Sequence, residues 1–127
     1  ITKIKETCLY VQDTIRSKEF YHSILGLPVI SDAPDRHVFF RAGEDVLLCF
    51  NPQDSKRKSS IPPHFGVGEL HFAFECSQED YSLWKEKLCK AGVEIEDEID
   101  WGNGRLSFYF RDPDNHCVEI VMPGIWD

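Results

Sequence analysis

Residues 4–12, IKETCLYVQ, alternate in character: Thr7, Leu9 and Val11 fall on one face, and Glu6, Cys8 and Tyr10 fall on the other. That period of two predicts a half-buried strand. Asp13 follows as a helix cap, with Phe20 and Ile24 on one stripe, Tyr21 and Leu25 beside them, and Gly26 as the stop, which predicts a helix through about Leu25. Short strands are expected near 27–31, 36–42 and 45–50, the last two joined by the turn AGED. The order is β-α-β-β-β.

The next segment, NPQDSKRKSSIPPHFGVG (51–68), holds three prolines and two glycines without periodicity, and so reads as a linker or a loop over a site. The first pattern then returns. ELHFAFEC alternates like the opening strand, Ser77 and Asp80 form a capping box, and a helix through Leu83, Trp84 and Leu88 stops at Gly92. Strands near 93–100, 105–111 and 116–122 follow, with WGNG turning between the first two. FRAGEDVLLCF (40–50) aligns without gaps on FRDPDNHCVEI (110–120). A unit of about 65 residues is too long for a solenoid repeat, so the chain reads as one duplicated module. The expected fold is α+β, with paired βαβββ modules forming a curved mixed sheet around a cup. The first module spans 1–51, the linker 52–68 and the second module 69–127.

With 127 residues, 42% hydrophobic and 13% aromatic, the chain has material for a real core. A formal charge of -8, with Lys56-Arg57-Lys58 as its only basic cluster, argues against a nucleic-acid partner. Five cysteines, an odd number without a C-x-x-C pair, fit a reducing cytoplasm better than a disulfide framework. No apolar stretch approaches a membrane span, and ITKIKETCLY lacks a signal-peptide core, so a soluble cytoplasmic protein is expected.

Overlaying the modules places Glu6 on His71, each on the first strand of its half. Alternation puts Thr7, Leu9, Val11, Leu70, Phe72, Phe74, Val118 and Ile120 under the helices, which turns Glu6, His71 and Glu119 toward the cup. Two carboxylates and an imidazole in a dry hollow repel one another or go unsatisfied unless a divalent cation joins them. By the same alternation Cys8, Tyr10, His37, Phe39, Leu47, Ser107 and Tyr109 face the cup, a mainly aromatic lining suited to a small organic molecule.

Three stretches, ETCLYVQDTIRSKEFYHSILGLPV, GELHFAFE and SFYFRDPDNHCVEIVMPGIW, together resemble the vicinal oxygen chelate superfamily. That family includes glyoxalase I, bleomycin-resistance proteins, fosfomycin thiol transferases and extradiol dioxygenases. The resemblance implies a cup of paired modules, commonly completed by a second chain, with metal ligands at the positions of Glu6, His71 and Glu119. It also implies that Glu119 serves as a metal-bound general base.

The sequence departs from the family pattern in three places. Glu6 stands where His or Gln is usual, so the two-histidine iron site of a dioxygenase is lacking. A fourth ligand would fall at Leu48 or Cys49, neither a carboxylate. IDWGNGRL lacks the lysine of the fosfomycin transferases, although Tyr109 is retained.

Each residue also has a plainer reading. Glu6 would be a solvated strand end, His71 a hydrogen-bonded structural histidine, and Glu119 a partner of Arg41 or Arg111. His22, His37, His64 and His116 read as surface or turn residues. Trp101, Trp126 and Tyr81 read as packing or interface residues, and EIEDEID as an edge strand with charges facing water. Cys8 and Cys49 are expected as lining thiols, with Cys49 a candidate soft ligand.

The favoured expectation is a homodimeric, glyoxalase-like enzyme acting on a small oxygen-bearing metabolite by isomerase, lyase or thiol-adding chemistry. It would use one divalent metal per site: zinc, manganese, nickel, iron or magnesium. The alternatives are a non-catalytic drug- or metabolite-binding protein and an extradiol-type dioxygenase.

Overall fold

The opening alternation becomes β1 (Glu6–Tyr10) in the computed structural model, which describes residues 1–127. Leu9 and Val11 go into the core while Glu6 stays exposed. Asp13 caps α1 (Thr14–Lys18), its Oδ1 accepting from Ile15 N at 2.9 Å and Arg16 N at 3.3 Å, which satisfies two of the free donors at the helix start. The helix does not continue as α to Leu25. It widens into a π-helical segment, Glu19–Ile24, in which Leu25 N bonds Phe20 O. The widened segment buries the consecutive side chains of Phe20 and Tyr21 together with Leu25, and Gly26 ends it at φ 80°.

The strands β2 (Val29–Ala33), β3 (His37–Ala42) and β4 (Asp45–Phe50) complete a sheet of order β1-β4-β3-β2. Asn51 caps a short helix, α2 (Pro52–Ser55), inside a stretch whose prolines and lack of periodicity suggest only loop. Proline suits the first turn of a helix because its missing N–H would be unpaired there anyway.

The second half repeats the order with β5 (His71–Glu75), α3 (Tyr81–Lys90), β6 (Asp97–Asp100), β7 (Leu106–Arg111) and β8 (Cys117–Val121), in a sheet ordered β5-β8-β7-β6. In each sheet the first strand runs parallel to the last, and the other pairs are antiparallel. The chain is therefore α+β, with two four-stranded mixed sheets. Compact units span Ile1–Gly68 and Glu69–Asp127.

α3 starts at Tyr81 because Ser77 and Asp80 bond each other first: Ser77 Oγ donates to Asp80 Oδ2 at 2.8 Å and accepts from Asp80 N at 3.2 Å. Tyr21 packs on Phe40 with ring centroids 5.5 Å apart, and Tyr81 packs on Phe108 at 5.2 Å. These contacts identify the helix-covered face of each sheet. Val38, Phe40, Leu47 and Cys49 line it in the first unit, and Phe108, Phe110, Val118 and Ile120 in the second. Each fully buried Phe, Val or Leu contributes roughly 1.5–3 kcal/mol.

Two expectations about the first unit are corrected by this register. Leu47 pairs with Thr7 and Phe40 and lies on the helix-covered face, so it does not line the open face. Cys49 pairs with Leu9 and Val38 and is fully buried there, which removes it as lining or as a soft ligand.

The cause is one residue of turn length. Cys8 lies opposite Leu48, while Ala73 lies opposite Glu119. The counterpart of Glu119 is thus Leu48, whereas a gap-free overlay puts Cys49 there. The D-P-D-N-H turn between β7 and β8 is one residue longer than its equivalent between β3 and β4, and a slip of one residue exchanges the two faces of a strand.

The acidic stretch does supply an edge strand, β6, but its charges are not all left to water. Glu98 accepts from Lys85 Nζ at 2.7 Å and from Tyr81 Oη at 3.0 Å, while Glu96 accepts from Arg111 Nε at 2.7 Å. No helix is long and apolar enough to cross a membrane.

Candidate metal and catalytic centre

β5 and β8 run parallel with Ala73 opposite Glu119, and β7 places Tyr109 opposite Glu119 on its other side. Because Val118 and Ile120 face α3, Glu119 emerges on the open face of the sheet. Even so it is only 6% exposed. Its neighbour is His71: Nε2 lies 3.4 Å from Glu119 Oε2. Nδ1 of the same ring lies 2.9 Å from Cys117 O. A carbonyl can only accept, so Nδ1 carries the proton and Nε2 of the neutral ring presents a lone pair. A lone pair facing a nearly buried carboxylate oxygen needs a positive charge, either a second ring proton or a cation. A metal-binding histidine is commonly oriented in this way, with its distal N–H fixed by a backbone carbonyl. The pair therefore fits a divalent metal.

Arg111 does not take the role of counter-ion to Glu119. Arg111 holds Glu96 through Nε and Nη2 and donates Nη1 to Asn115 O at 3.2 Å; Arg41 donates to Glu44 O at 3.3 Å. Glu6 is exposed on β1, opposite Val46, in the first unit. No group of three or more His, Cys, Asp or Glu side chains gathers as a metal cluster in the chain.

Tyr109 stands opposite Glu119 in the ladder, and its phenol is held above the usual tyrosine range, chiefly by burial and further by that carboxylate, against a lowering effect of Ser107. Ser107 is fully buried, and its Oγ accepts from Trp101 Nε1 at 2.9 Å. Trp101 is thus more than a packing residue. Nothing in its local pattern separates it from one, since the bond spans a turn whose conformation is not legible in WGNG.

His116 is also corrected, from a surface or turn residue to a buried one at 1% exposure. Its Nδ1 accepts from Leu70 N at 2.9 Å, so it clamps the residue before His71. Asp112 Oδ1 in turn accepts from His116 N at 2.8 Å and Asp114 N at 3.0 Å. The Asp-x-x-x-His spacing across a D-P-D turn was the available signal.

In the first unit Cys8 and Tyr10 share a face with Glu6. Burial, the largest effect, pushes the Cys8 thiol up, as does Glu6, so Cys8 is a protonated lining group rather than a nucleophile. His37 stacks on Phe39 at 4.2 Å and 15°, and Phe50 meets Phe39 at 5.0 Å and His64 at 4.5 Å. Tyr10 Oη lies 2.9 Å from His64 Nδ1. His37 and His64 are therefore part of a five-ring row and not plain surface residues.

Comparison with known proteins agrees with this architecture. Residues 3–120 match the model of the Glyoxalase/Bleomycin resistance protein/Dioxygenase superfamily. A glutathione transferase FosA of Serratia marcescens is 27% identical over 94% of this chain and 80% of its own length. A metallothiol transferase FosB of Bacillus licheniformis is 28% identical over 100% of this chain and 79% of its own length. The crystal structure of a lactoylglutathione lyase from Agrobacterium tumefaciens superposes with a TM-score of 0.93 at 34% identity, covering 99% of this chain and 97% of that one. With its paired βαβββ units and a match running through nearly all its length, the chain belongs to the Glyoxalase/Bleomycin resistance protein/Dioxygenase superfamily.

Proposed function

We propose that the protein is a metal-dependent enzyme of the glyoxalase type, acting on a small oxygen-bearing metabolite by lyase, isomerase or thiol-adding chemistry. One observation carries the reading: His71 Nε2 faces Glu119 Oε2 at 3.4 Å while Nδ1 is committed to Cys117 O. The relatives named as thiol transferases and a lactoylglutathione lyase support the reaction class. His71 and Glu119 would be two ligands of a divalent cation. Glu6, register-equivalent to His71 on the first strand of its own unit, is proposed as the third, from this chain or a second copy in a homodimer.

Bound there, a divalent metal would supply Lewis-acid polarisation of a substrate oxygen. The chain's own groups do the rest. The Nδ1–H bond to Cys117 O keeps the His71 ring in one tautomer and orientation. Glu119 Oε takes a proton from the substrate carbon or thiol and returns it, a role that contributes roughly 10² to 10⁴ in rate. Tyr109, directly opposite Glu119 on β7, keeps its phenol proton beside that carboxylate. Cys8, Tyr10, His37 and Phe39, with Tyr109, are proposed as substrate-binding groups; Ser107, expected among them, is fully buried with its hydroxyl taken by the Trp101 indole and is withdrawn from that set.

A second reading, sequestration of a flat ligand without chemistry, is favoured by the ring row of His37, Phe39, Phe50, His64 and Tyr10. Elemental analysis of chelator-free protein separates the two. The enzyme reading expects about one divalent ion per chain, lost in His71→Ala, Glu119→Ala and Glu6→Ala. Metal-free protein that still binds aromatic ligands would overturn it.

A further inference from the structure

Trp101 is held over the same face of the second sheet as the pair His71 and Glu119. Phe108 and Phe110 lie under α3, so Ser107 and Tyr109 emerge on the other side of β7, the side that carries Glu119. The indole reaches that side because its Nε1 donates to Ser107 Oγ at 2.9 Å. The turn below it is fixed: Gly102, Asn103 and Gly104 take φ of 92°, 57° and 72° in succession, a left-handed run that glycine and asparagine tolerate. Trp101 N donates to Arg105 O at 2.9 Å, and Gly102 N donates to Asp100 Oδ1 at 2.8 Å. Ser107 is fully buried while Trp101 stays 49% exposed. The ring is thus anchored at its nitrogen edge and open over much of the rest.

Ser107 pairs with Val121 and Tyr109 with Glu119, which makes Ser107 and Glu119 diagonal neighbours on adjacent antiparallel strands, about 7–8 Å apart in such ladders. The rings of Tyr109 and His71 stand beside them, centroids 6.1 Å apart. Oxygens held at His71 Nε2 and Glu119 Oε2 are therefore within one small ring's reach of the indole. We propose that Trp101 is a specificity-determining residue whose open face stacks on a planar, uncharged aryl substituent of a substrate held by its oxygens at His71 and Glu119. The oxygen-held end of that substrate rests on the metal-dependent reading above; the stacking contact does not. A side chain already fixed by a hydrogen bond loses little freedom when a ligand covers it, and an indole gains most from another flat ring. The surroundings select against an anionic substituent: Asp97, opposite Tyr109, and Asp100 are exposed carboxylates, while the guanidinium of Arg105 lies against Gly124.

Two hydroxamates test this on the full chain, since benzohydroxamate and acetohydroxamate both chelate a metal through two oxygens and differ in carrying phenyl or methyl. Zinc-loaded protein is expected to prefer benzohydroxamate by about tenfold. Trp101→Ala is expected to remove about three- to tenfold of that preference with acetohydroxamate affinity unchanged, and Trp101→Phe, which keeps a ring, to retain part of it. Equal losses for both ligands would mark a structural role and overturn the contact. A ¹⁵N–¹H spectrum reads the same contact without metal. The Trp101 indole resonance, identified by its loss in Trp101→Phe, is expected to move with millimolar benzohydroxamate in metal-free and zinc-loaded protein alike, and that of Trp126, 91% exposed, to stay in place. A Trp101 resonance that moves no more than that of Trp126, or that responds only to protein concentration, overturns the proposal, the latter by placing the indole against a second copy of the chain. Protein that takes up no zinc or other divalent metal, yet shows the selective shift, overturns the proposed function and leaves the stacking contact standing.

Discussion

Gly66 lies flat against the ring of Tyr10: a Cβ placed on it would sit 2.4 Å from Cε2 and 2.5 Å from Cδ2. The ring has little freedom to retreat. Its hydroxyl is 2.9 Å from His64 Nδ1, and His64 is itself tied to α2 by His64 N donating to Ser55 O at 3.0 Å and Ser55 Oγ donating to His64 O at 2.8 Å. The return of the 56–68 segment is thus fastened to β1 at a point where only a hydrogen fits. Gly66→Ala is expected to cost about 1–3 kcal/mol, the usual range for overpacking, read from the midpoint of denaturant unfolding. The same change in a Tyr10→Ala background, where the obstructing ring is gone, is expected to cost much less. Equal losses in both backgrounds would contradict the contact.

His116→Ala removes the acceptor that Leu70 N uses at 2.9 Å and leaves that N–H without its partner at the entrance to β5. The expected loss is about 1–3 kcal/mol from the stranded donor. Because the next residue is His71, loosening there should also reduce divalent-metal uptake. Unfolding curves and zinc titration check the two effects separately, and a variant as stable as wild type would exclude the clamp.

Burial, with help from Arg36, holds the His37 imidazole below its usual 6.5, against Asp54 and Asp32. A base with a depressed folded pKa binds its proton more readily in the unfolded chain. Its contribution to folding is therefore intact above about pH 6.5 and erodes as pH falls from there toward the folded value. His37→Phe, which keeps an aromatic ring beside Phe39, should show a smaller drop in stability between pH 7.5 and 5.5 than wild type, as measured by denaturant midpoints at the two values. An unchanged drop would remove His37 as its source.

Glu98 has the opposite sign. Its carboxyl is held below the usual 4.5, first by Lys85 and then by Tyr81, against burial. The associated stability is present above about pH 4.5 and lost as pH falls through the lower folded value. Glu98→Gln should flatten the acid limb of a stability profile below pH 4.5 while Tyr81→Phe flattens it less. An acid limb identical in Glu98→Gln and wild type would show that the pair is inert.

The amino-acid sequence by itself determined whatever depends on neighbours a few residues apart. Alternation at Thr7, Leu9 and Val11 identified β1 and its buried side, Asp13 announced α1, and the recurrence of the whole pattern revealed two βαβββ units. The open-face placement of His71, Ser107, Tyr109 and Glu119 followed from the same period of two, because successive side chains of a strand must point to opposite faces.

Only the tertiary structure decided what depends on register and on turn geometry. Leu47 and Cys49 changed face because one turn is a residue longer than its counterpart, and strand parity does not survive a single-residue offset. The first helix widened to a π segment after Lys18, which the pattern did not announce, although Phe20, Tyr21 and Leu25 entered the core as that pattern expected. His116, Trp101 and His64 read as peripheral in the chain, yet each closes a hydrogen bond to a residue on another element: Leu70, Ser107 and Tyr10. Such bonds are a matter of where backbones pass one another, and a local pattern carries no record of that.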